Sequence, residues 1–203
     1  MNRRAMIKLN VAFFAPVLTL LLSACDPGGS EALAGTDLTG TPIGGTFALV
    51  DKDAMPVTWD RFQGKYRVVY FGYTFCPDVC PVDVAVLMRG YDQFAKAHPD
   101  LADKVQPIFI TVDPARDTPK AVGEFAAAFS PKLIGLTGTP ENVAGAIKAF
   151  RVYAAKGEQS AGGYMMDHSR HAYLMDPQGK PIEVLPTDQG AEAVARDLGI
   201  AVK

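Results

Sequence analysis

The sequence has few residues of the kinds that usually carry chemistry. Only three cysteines and three histidines occur in 203 residues, so each of them is informative. A strong charge of one sign is also lacking, because the formal net charge is -2 and no basic stripe stands out, which argues against nucleic-acid binding. Internal repeats and long charge runs are missing as well. What is present, 48% hydrophobic and 21% charged residues, suits one packed domain with a short extra segment.

The first 24 residues are predicted to be a signal peptide rather than part of the fold. A basic start precedes an apolar stretch at 11–22, which suits a signal-peptide core and is short for a membrane-spanning helix. The stretch ends in Leu22-Ser23-Ala24-Cys25, which resembles a bacterial lipobox. We therefore expect a lipoprotein-type signal peptide at 1–24 and lipidation of Cys25. Cleavage nearby, or an uncleaved anchor with Cys25 as a spare thiol, would export the domain equally.

The rest of the chain divides into a tether and a domain. Residues 25–41, rich in Gly, Pro, Ser and Thr after the cysteine, are predicted to be flexible. Residues 42–203 alternate β-type and helix-type patterns. The predicted strands are 46–50, opening a hairpin, then 67–73, 105–112, 133–136, 171–175 and 181–185; the predicted helices are 81–98, 118–129, 141–154 and 190–198. This order predicts a thioredoxin-like α/β fold, with a mixed central sheet flanked by helices and an N-terminal hairpin.

The cysteine pair lies at a predicted strand-to-helix junction, in the segment TFCPDVCP at 74–81. A helix start exposes unpaired N–H groups and the positive end of the helix dipole, which stabilise thiolate. A spacing of four in a helical or turn-like segment puts the sulfurs of Cys76 and Cys80 on one face. They can then bind a soft metal ion, form a disulfide or act as a redox couple. Two ordinary buried cysteines are the plain alternative.

His168 is the candidate third ligand. It precedes the strand predicted at 171–175, and in a thioredoxin-like plan the loop before this hairpin packs beside the helix start that carries the cysteines. Two thiolates and one imidazole form a soft site that suits Cu(I), and a fourth ligand such as water would accommodate Cu(II). A solvated or hydrogen-bonded histidine is the alternative. His171 is an auxiliary candidate, and His98 is expected to be solvated or to cap a helix.

Four neighbouring residues are secondary candidates. Met165 and Met166 carry thioether sulfurs, although ordinary packing is favoured for both. Asp167 would orient His168 through a hydrogen bond. Asp78, between the cysteines, would tune the charge of the site or contact a partner.

Three ordered segments resemble the Sco/SenC family of copper chaperones, and the likeness covers most of the chain from about Gly44 onward. They are FQGK at 62–65 with VVYFGYTFCPDVCP at 68–81, then VDPARDTP at 112–119, and last DHS at 167–169 with YL at 173–174 and DPQG at 176–179. The resemblance implies a thioredoxin-like fold with copper on Cys76, Cys80 and His168. It also implies delivery of copper to the binuclear copper centre of cytochrome c oxidase, with the copper-receiving subunit as partner.

The resemblance also bears on location. A lipid on Cys25 would replace the transmembrane helix common in the family, and Asp26 resembles a signal for retention in the inner membrane. We therefore expect a lipid-anchored protein of the bacterial cell membrane, with its domain facing the periplasm. A second periplasmic copper chaperone is a further expected partner.

The sequence leaves the choice between a carrier and an enzyme open. The leading hypothesis is a metallochaperone, which needs no turnover. The alternative is a thiol–disulfide oxidoreductase in which Cys76 and Cys80 cycle between dithiol and disulfide to keep the acceptor's cysteines reduced. Three residues between the cysteines, rather than the usual two, weaken a purely redox role. A peroxiredoxin-like peroxidase is disfavoured because both cysteines sit at one helix start. His168 discriminates the first two hypotheses, since only copper binding needs it.

Overall fold

The computed structural model describes residues 32–160 and 163–203 of the chain. Its strands, in chain order, are β1 (Thr36–Asp37), β2 (Ala48–Val50), β3 (Pro56–Thr58), β4 (Tyr66–Gly72), β5 (Val105–Thr111), β6 (Ile134–Leu136), β7 (Ala154–Ser160), β8 (Gly163–His168), β9 (Ala172–Met175) and β10 (Pro181–Val184). A six-stranded sheet has the order β1-β10-β9-β4-β5-β6. In this sheet β4, β5 and β6 pair in parallel, whereas β9, β10 and β1 join antiparallel. The predicted mixed sheet is confirmed.

Helices follow the parallel strands β4, β5 and β6, and a further helix follows β10. They are α1 (Val79–Ala97), α2 (Pro119–Phe129), α3 (Pro140–Ala149) and α4 (Ala191–Ala201), with short 3-10 helices at Trp59–Phe62, Ala102–Lys104 and Thr187–Gln189. The start predicted at Thr118 is confirmed, since its hydroxyl accepts a hydrogen bond from the N–H of Ala121 at 3.2 Å and Pro119 follows. With the opening hairpin of β2 and β3, these elements form the predicted thioredoxin-like fold.

The central strand β4 leads directly to the cysteines. Val68 to Phe71 are all buried, so the strand is covered on both faces, as its unbroken apolar run predicts. The strand ends at Gly72, and the segment from Tyr73 to Asp78 connects it to α1. This connection lies at the carboxyl end of the parallel strands, where α/β folds commonly place their binding sites.

The folded part begins earlier than the predicted boundary at residue 42. Thr36–Asp37 adds β1 to the edge strand β10, and the N–H groups of Ala34 and Gly35 donate to the buried Asp197 carboxylate at 2.7 and 2.9 Å. The last part of the predicted tether at 25–41 is therefore ordered, because it covers a sheet edge and satisfies a buried carboxylate. The predicted signal peptide and Cys25 lie outside the described residues.

The segment after α3 also differs from the prediction. The helix predicted at 141–154 ends at Ala149, and Arg151 takes a left-handed backbone conformation with φ of 52°. Residues 154–160 and 163–168 then form the antiparallel strand pair β7 and β8, which the sequence pattern does not predict. The seven residues of β7 are four polar residues, two alanines and one glycine, so it lacks the β-branched pattern by which strands are recognised. The consequence is that His168 ends a strand rather than lying in a loop.

The buried Glu183 predicts an unusual pH dependence of stability. Burial and the nearby Asp197 carboxylate raise the pKa of Glu183 to about 8, well above the value of about 4.3 expected in an unfolded chain. The folded state therefore binds the extra proton, and the free energy of unfolding falls as the pH rises from about 4.3 through about 8. We expect Glu183→Gln to gain stability over the wild type at pH 8 but not at pH 5. Thermal unfolding at both pH values checks this, with the exposed Glu192→Gln as the matched control. Equal pH profiles for wild type and Glu183→Gln would contradict it.

Candidate metal centre

The connection between β4 and α1 holds Cys76 in a fixed turn. The N–H of Cys76 donates to the carbonyl of Tyr73 at 3.3 Å. The N–H and hydroxyl of Thr74 both donate to the buried Asp117 carboxylate, at 3.0 and 2.6 Å, which ties the turn to the segment before α2. Because charge-assisted hydrogen bonds are among the stronger ones, Asp117 anchors the backbone that presents Cys76.

The two thiols lie side by side but have different environments. Cys80 lies in the first turn of α1 and is 0% exposed, whereas Cys76 is 7% exposed. The N–H of Cys80 donates to the Cys76 sulfur at 3.4 Å, and the sulfurs are not joined in a disulfide. Burial raises the pKa of Cys76, but hydrogen bonds from the N–H groups of Cys80 and Asp78 and from the Cys80 and Tyr73 side chains together outweigh it and leave the pKa below its ordinary value. Burial raises the pKa of Cys80 far above its ordinary value, so Cys76 ionises first.

His168 turns one ring nitrogen towards the cysteines. Its Nε2 lies 3.1 Å from the Cys80 sulfur, and its Nδ1 lies 2.9 Å from the carbonyl oxygen of Ser169. A carbonyl oxygen can only accept a hydrogen bond, so Nδ1 carries the proton and the lone pair of neutral His168 is on Nε2. Burial lowers the pKa of His168, which favours this neutral form. The ring is held edge-on by Tyr70 and Tyr73, at centroid distances of 6.3 and 5.9 Å.

The three predicted ligands lie close together. The Cys80 sulfur and the His168 ring are in contact, and the Cys76 sulfur is adjacent because it accepts a hydrogen bond from the Cys80 N–H. Among the residues that the structure describes, no three Cys, His, Asp or Glu side chains already form a closed metal-binding group. If one ion is bound by all three side chains, the Cys76 sulfur must therefore give up the hydrogen bond from the Cys80 N–H and bind the metal instead.

The secondary candidates fall outside this group. His171 is exposed, and its Nδ1 lies 3.3 Å from the Tyr173 hydroxyl. The predicted role of Asp167 in orienting His168 is wrong, because its side chain is exposed and the Ser169 carbonyl holds the ring instead. Asp78 is exposed and acts on Cys76 through its backbone N–H.

The remaining histidine and the two methionines also have distinct surroundings. The N–H of His98 donates to the carbonyl of Phe94 at the end of α1, and its ring packs on the Phe94 ring. Met166 packs against the core, whereas Met165 is 48% exposed.

An ion pair that the sequence analysis missed connects the two halves of the site. Arg170 donates to both carboxylate oxygens of Asp83, at 2.8 and 2.6 Å, and the Tyr70 hydroxyl donates to the same group at 2.9 Å. Asp83 is buried and lies one turn after Cys80 on α1, while Arg170 lies two residues after His168. The pair therefore fixes the position of the cysteine-bearing helix relative to the histidine-bearing strand. The one feature of the sequence that indicates this ion pair is the acidic residue Asp83, which lies within an apolar run three residues after Cys80.

Fold and site together define a class of protein. The domain is thioredoxin-like, with two thiols at the helix start after a central parallel strand and an imidazole facing one of them. The family model described as SCO1/SenC matches residues 35–203, and the chain belongs to this family.

Known proteins resemble the chain over most of this domain. It is 41% identical over 160 residues to Protein sco1 of Schizosaccharomyces pombe, covering 77% of this chain but only 60% of that protein. The structure of Bradyrhizobium japonicum ScoI with copper bound matches with a TM-score of 0.70 and 40% identity, covering 77% of this chain and 97% of that one. A structure described as a SCO1/SenC family lipoprotein from Bacillus anthracis matches with a TM-score of 0.62 and 26% identity, covering 81% and 98%.

Proposed function

We propose that this protein is a copper metallochaperone that carries one copper ion on Cys76, Cys80 and His168. The observation that carries the proposal is the contact of 3.1 Å between the unprotonated Nε2 of His168 and the Cys80 sulfur, with the Cys76 thiol adjacent. The copper in the related ScoI structure supports the same cargo.

The donor set determines which ion fits. Two thiolates and one imidazole are soft to intermediate ligands, and Cu(I) accepts such a low coordination number. A structural zinc site would usually need a fourth protein ligand. Cu(II) would fit with an added water molecule. Because Cys76 has the lower pKa, it would bind as thiolate first, and the metal would then displace the proton from Cys80.

The surface around the site supports transfer to another protein. Four large apolar side chains that are close to the ligands in sequence, or joined to their neighbours by backbone hydrogen bonds, are exposed: Phe75, Val82, Tyr153 and Met165. Phe75 adjoins Cys76, and Val82 follows Cys80 by two residues. Exposed apolar residues that cluster around a site are typical of a protein–protein contact surface. We infer that the copper-receiving subunit of cytochrome c oxidase docks here to take copper, and that a second periplasmic copper chaperone delivers it.

An anaerobic titration of the reduced chain, purified in detergent, tests the proposal. We expect Cu(I) to bind with a stoichiometry of one ion per chain in competition with a Cu(I) chelator. Failure to compete, or binding of several ions with no defined endpoint, would contradict the carrier function.

A second function, thiol–disulfide exchange, is favoured by the difference between the two thiols. Cys76, with its lowered pKa, has the character of an attacking thiolate, and buried Cys80 has that of the resolving thiol. Such activity would keep the acceptor's cysteines reduced before copper is passed on. Reduction of a small disulfide by the wild type but not by Cys76→Ser would support it.

We also propose that the protein is attached to the bacterial cell membrane by a lipid on Cys25, with the domain in the periplasm. The lipobox-like segment Leu22-Ser23-Ala24-Cys25 and the related Bacillus anthracis lipoprotein support this attachment. Within residues 32–160 and 163–203, no helix has the length and apolar character needed to cross a bilayer.

Cys25→Ala is expected to release the protein from membranes, because the thiol that would carry the lipid is lost. Fractionation of cells into membrane and soluble parts measures this. The wild type and the Cys76→Ala variant should both stay in the membrane fraction. Unchanged fractionation of Cys25→Ala would count against lipidation.

Asp83→Asn is expected to weaken Cu(I) binding about tenfold, the scale of losing an outer-shell partner of a metal ligand. The amide has one oxygen and cannot accept both hydrogen bonds from Arg170. The positions of Cys80 and His168 relative to each other are therefore held less firmly. Chelator competition measures the affinity, and the exposed Asp92→Asn on the same helix is the matched control. If Asp83→Asn binds copper as tightly as Asp92→Asn, the ion pair does not position the ligands.

A further inference from the structure

We propose that the Met165 thioether is an entry ligand for Cu(I), a surface sulfur that receives the ion before it reaches the buried ligands. The inference rests on the proposed copper-carrier function and adds a fourth, transient ligand to it.

Met165 is exposed to solvent while its sulfur contacts Tyr73. It lies on β8, three residues before His168, and is 48% exposed. Its Sδ accepts a hydrogen bond from the Tyr73 hydroxyl at 3.8 Å. The neighbouring Met166 packs instead against the core, so the two thioethers have different roles in the fold.

Tyr73 connects the surface sulfur with the first thiol. The side chain that donates to Met165 also interacts with Cys76. The same tyrosine contacts the His168 ring edge-on, at a centroid distance of 5.9 Å. One phenol therefore adjoins the exposed thioether, the more acidic thiol and the imidazole. The ligands themselves are less accessible, since Cys76 is 7% and Cys80 0% exposed. Met165 therefore offers an arriving ion a more exposed sulfur than either thiol does.

The chemistry of a thioether suits a transient position. It is soft, so it binds Cu(I), and it is neutral, so it binds without losing a proton. In the first step the bond between copper and a ligand of the molecule that delivers it breaks, and a bond between copper and Met165 Sδ forms. In the second step Cys76 and Cys80 each release the one proton that their thiol carries to solvent, their sulfurs and the Nε2 of His168 bond to copper, and the Sδ bond breaks. Copper stays Cu(I) throughout, so no electron acceptor is required.

The rate of copper uptake distinguishes this role from ordinary packing. Cu(I) is presented to the full chain in detergent as its bicinchoninate complex, and loss of that complex's colour is followed by stopped flow. Met165→Leu preserves the volume of the side chain. We expect it to slow uptake about tenfold, equivalent to about 1.4 kcal/mol of barrier, while the equilibrium affinity stays within about twofold of the wild type.

Met55→Leu is the matched control, because Met55 is 59% exposed and lies at the hairpin of β2 and β3. It should take up copper at the wild-type rate. Uptake by Met165→Leu at the wild-type rate, or equal slowing in both variants, would overturn the proposal while leaving the carrier function intact. Failure of the wild type itself to take copper from bicinchoninate would instead overturn the carrier function, and the entry ligand with it.

Discussion

His168→Ala is expected to lower the affinity for Cu(I) by more than the roughly 10- to 100-fold that loss of an outer-shell partner costs, because the variant removes a proposed direct ligand. The two thiols remain in place, so copper would bind as a two-coordinate ion without the imidazole. Exchange with small disulfides should be spared, since that reaction needs only the sulfurs. Chelator competition and an exchange assay on the same preparation measure the two effects.

The other histidines provide matched controls for this variant. His171 is three residues further on and contacts the Tyr173 hydroxyl, and His98 lies at the end of α1. His171→Ala and His98→Ala should bind Cu(I) as the wild type does. If His168→Ala keeps wild-type affinity, or if His171→Ala loses as much, His168 is not the ligand and a dithiol site remains.

Cys80→Ser is expected to abolish Cu(I) binding in the presence of a competing chelator. A hydroxyl is a hard and weakly acidic group, so the soft two-sulfur set on which Cu(I) binding depends is lost. Cys76→Ser should have the same effect on copper. Cys25→Ser, measured in the same detergent, should bind copper normally, since Cys25 belongs to the predicted anchor.

The two thiol variants should differ in stability. Cys80 is 0% exposed, and burying a hydroxyl without a good partner costs about 1–3 kcal/mol, whereas the less buried Cys76 should tolerate serine better. Thermal unfolding of both variants separates loss of a ligand from loss of the fold. Retention of tight copper binding by a folded Cys80→Ser would contradict the proposed ligand set.

Much of the fold could be predicted because its central elements have strong local signals. The apolar run of β4 and the Thr-Pro start of α2 are close to their predicted positions. The strand β1 and the antiparallel pair of β7 and β8 could not be predicted, because their stability comes from the partners they pair with rather than from their own side chains. The neighbours of Thr36 are set by β10, which is almost 150 residues away in the sequence.

The site divides in the same way between local and long-range information. The spacing of the cysteines at a strand-to-helix junction predicts their role, and the expected topology and the family likeness predict that of His168. The hydrogen bond from His168 to the Ser169 carbonyl, which decides the tautomer, depends on backbone geometry that no residue type encodes. The pairing of Asp83 with Arg170 depends on how a helix meets a strand 87 residues later, which only the folded chain establishes.

X-ray absorption at the copper edge tests most directly whether two sulfurs and one imidazole share a single copper ion. The copper-loaded wild type is expected to show two sulfur ligands and one imidazole per copper, and His168→Ala should lose the imidazole contribution while keeping both sulfurs. A wild-type spectrum with sulfur ligands alone, or an imidazole signal that persists in His168→Ala, would contradict the account.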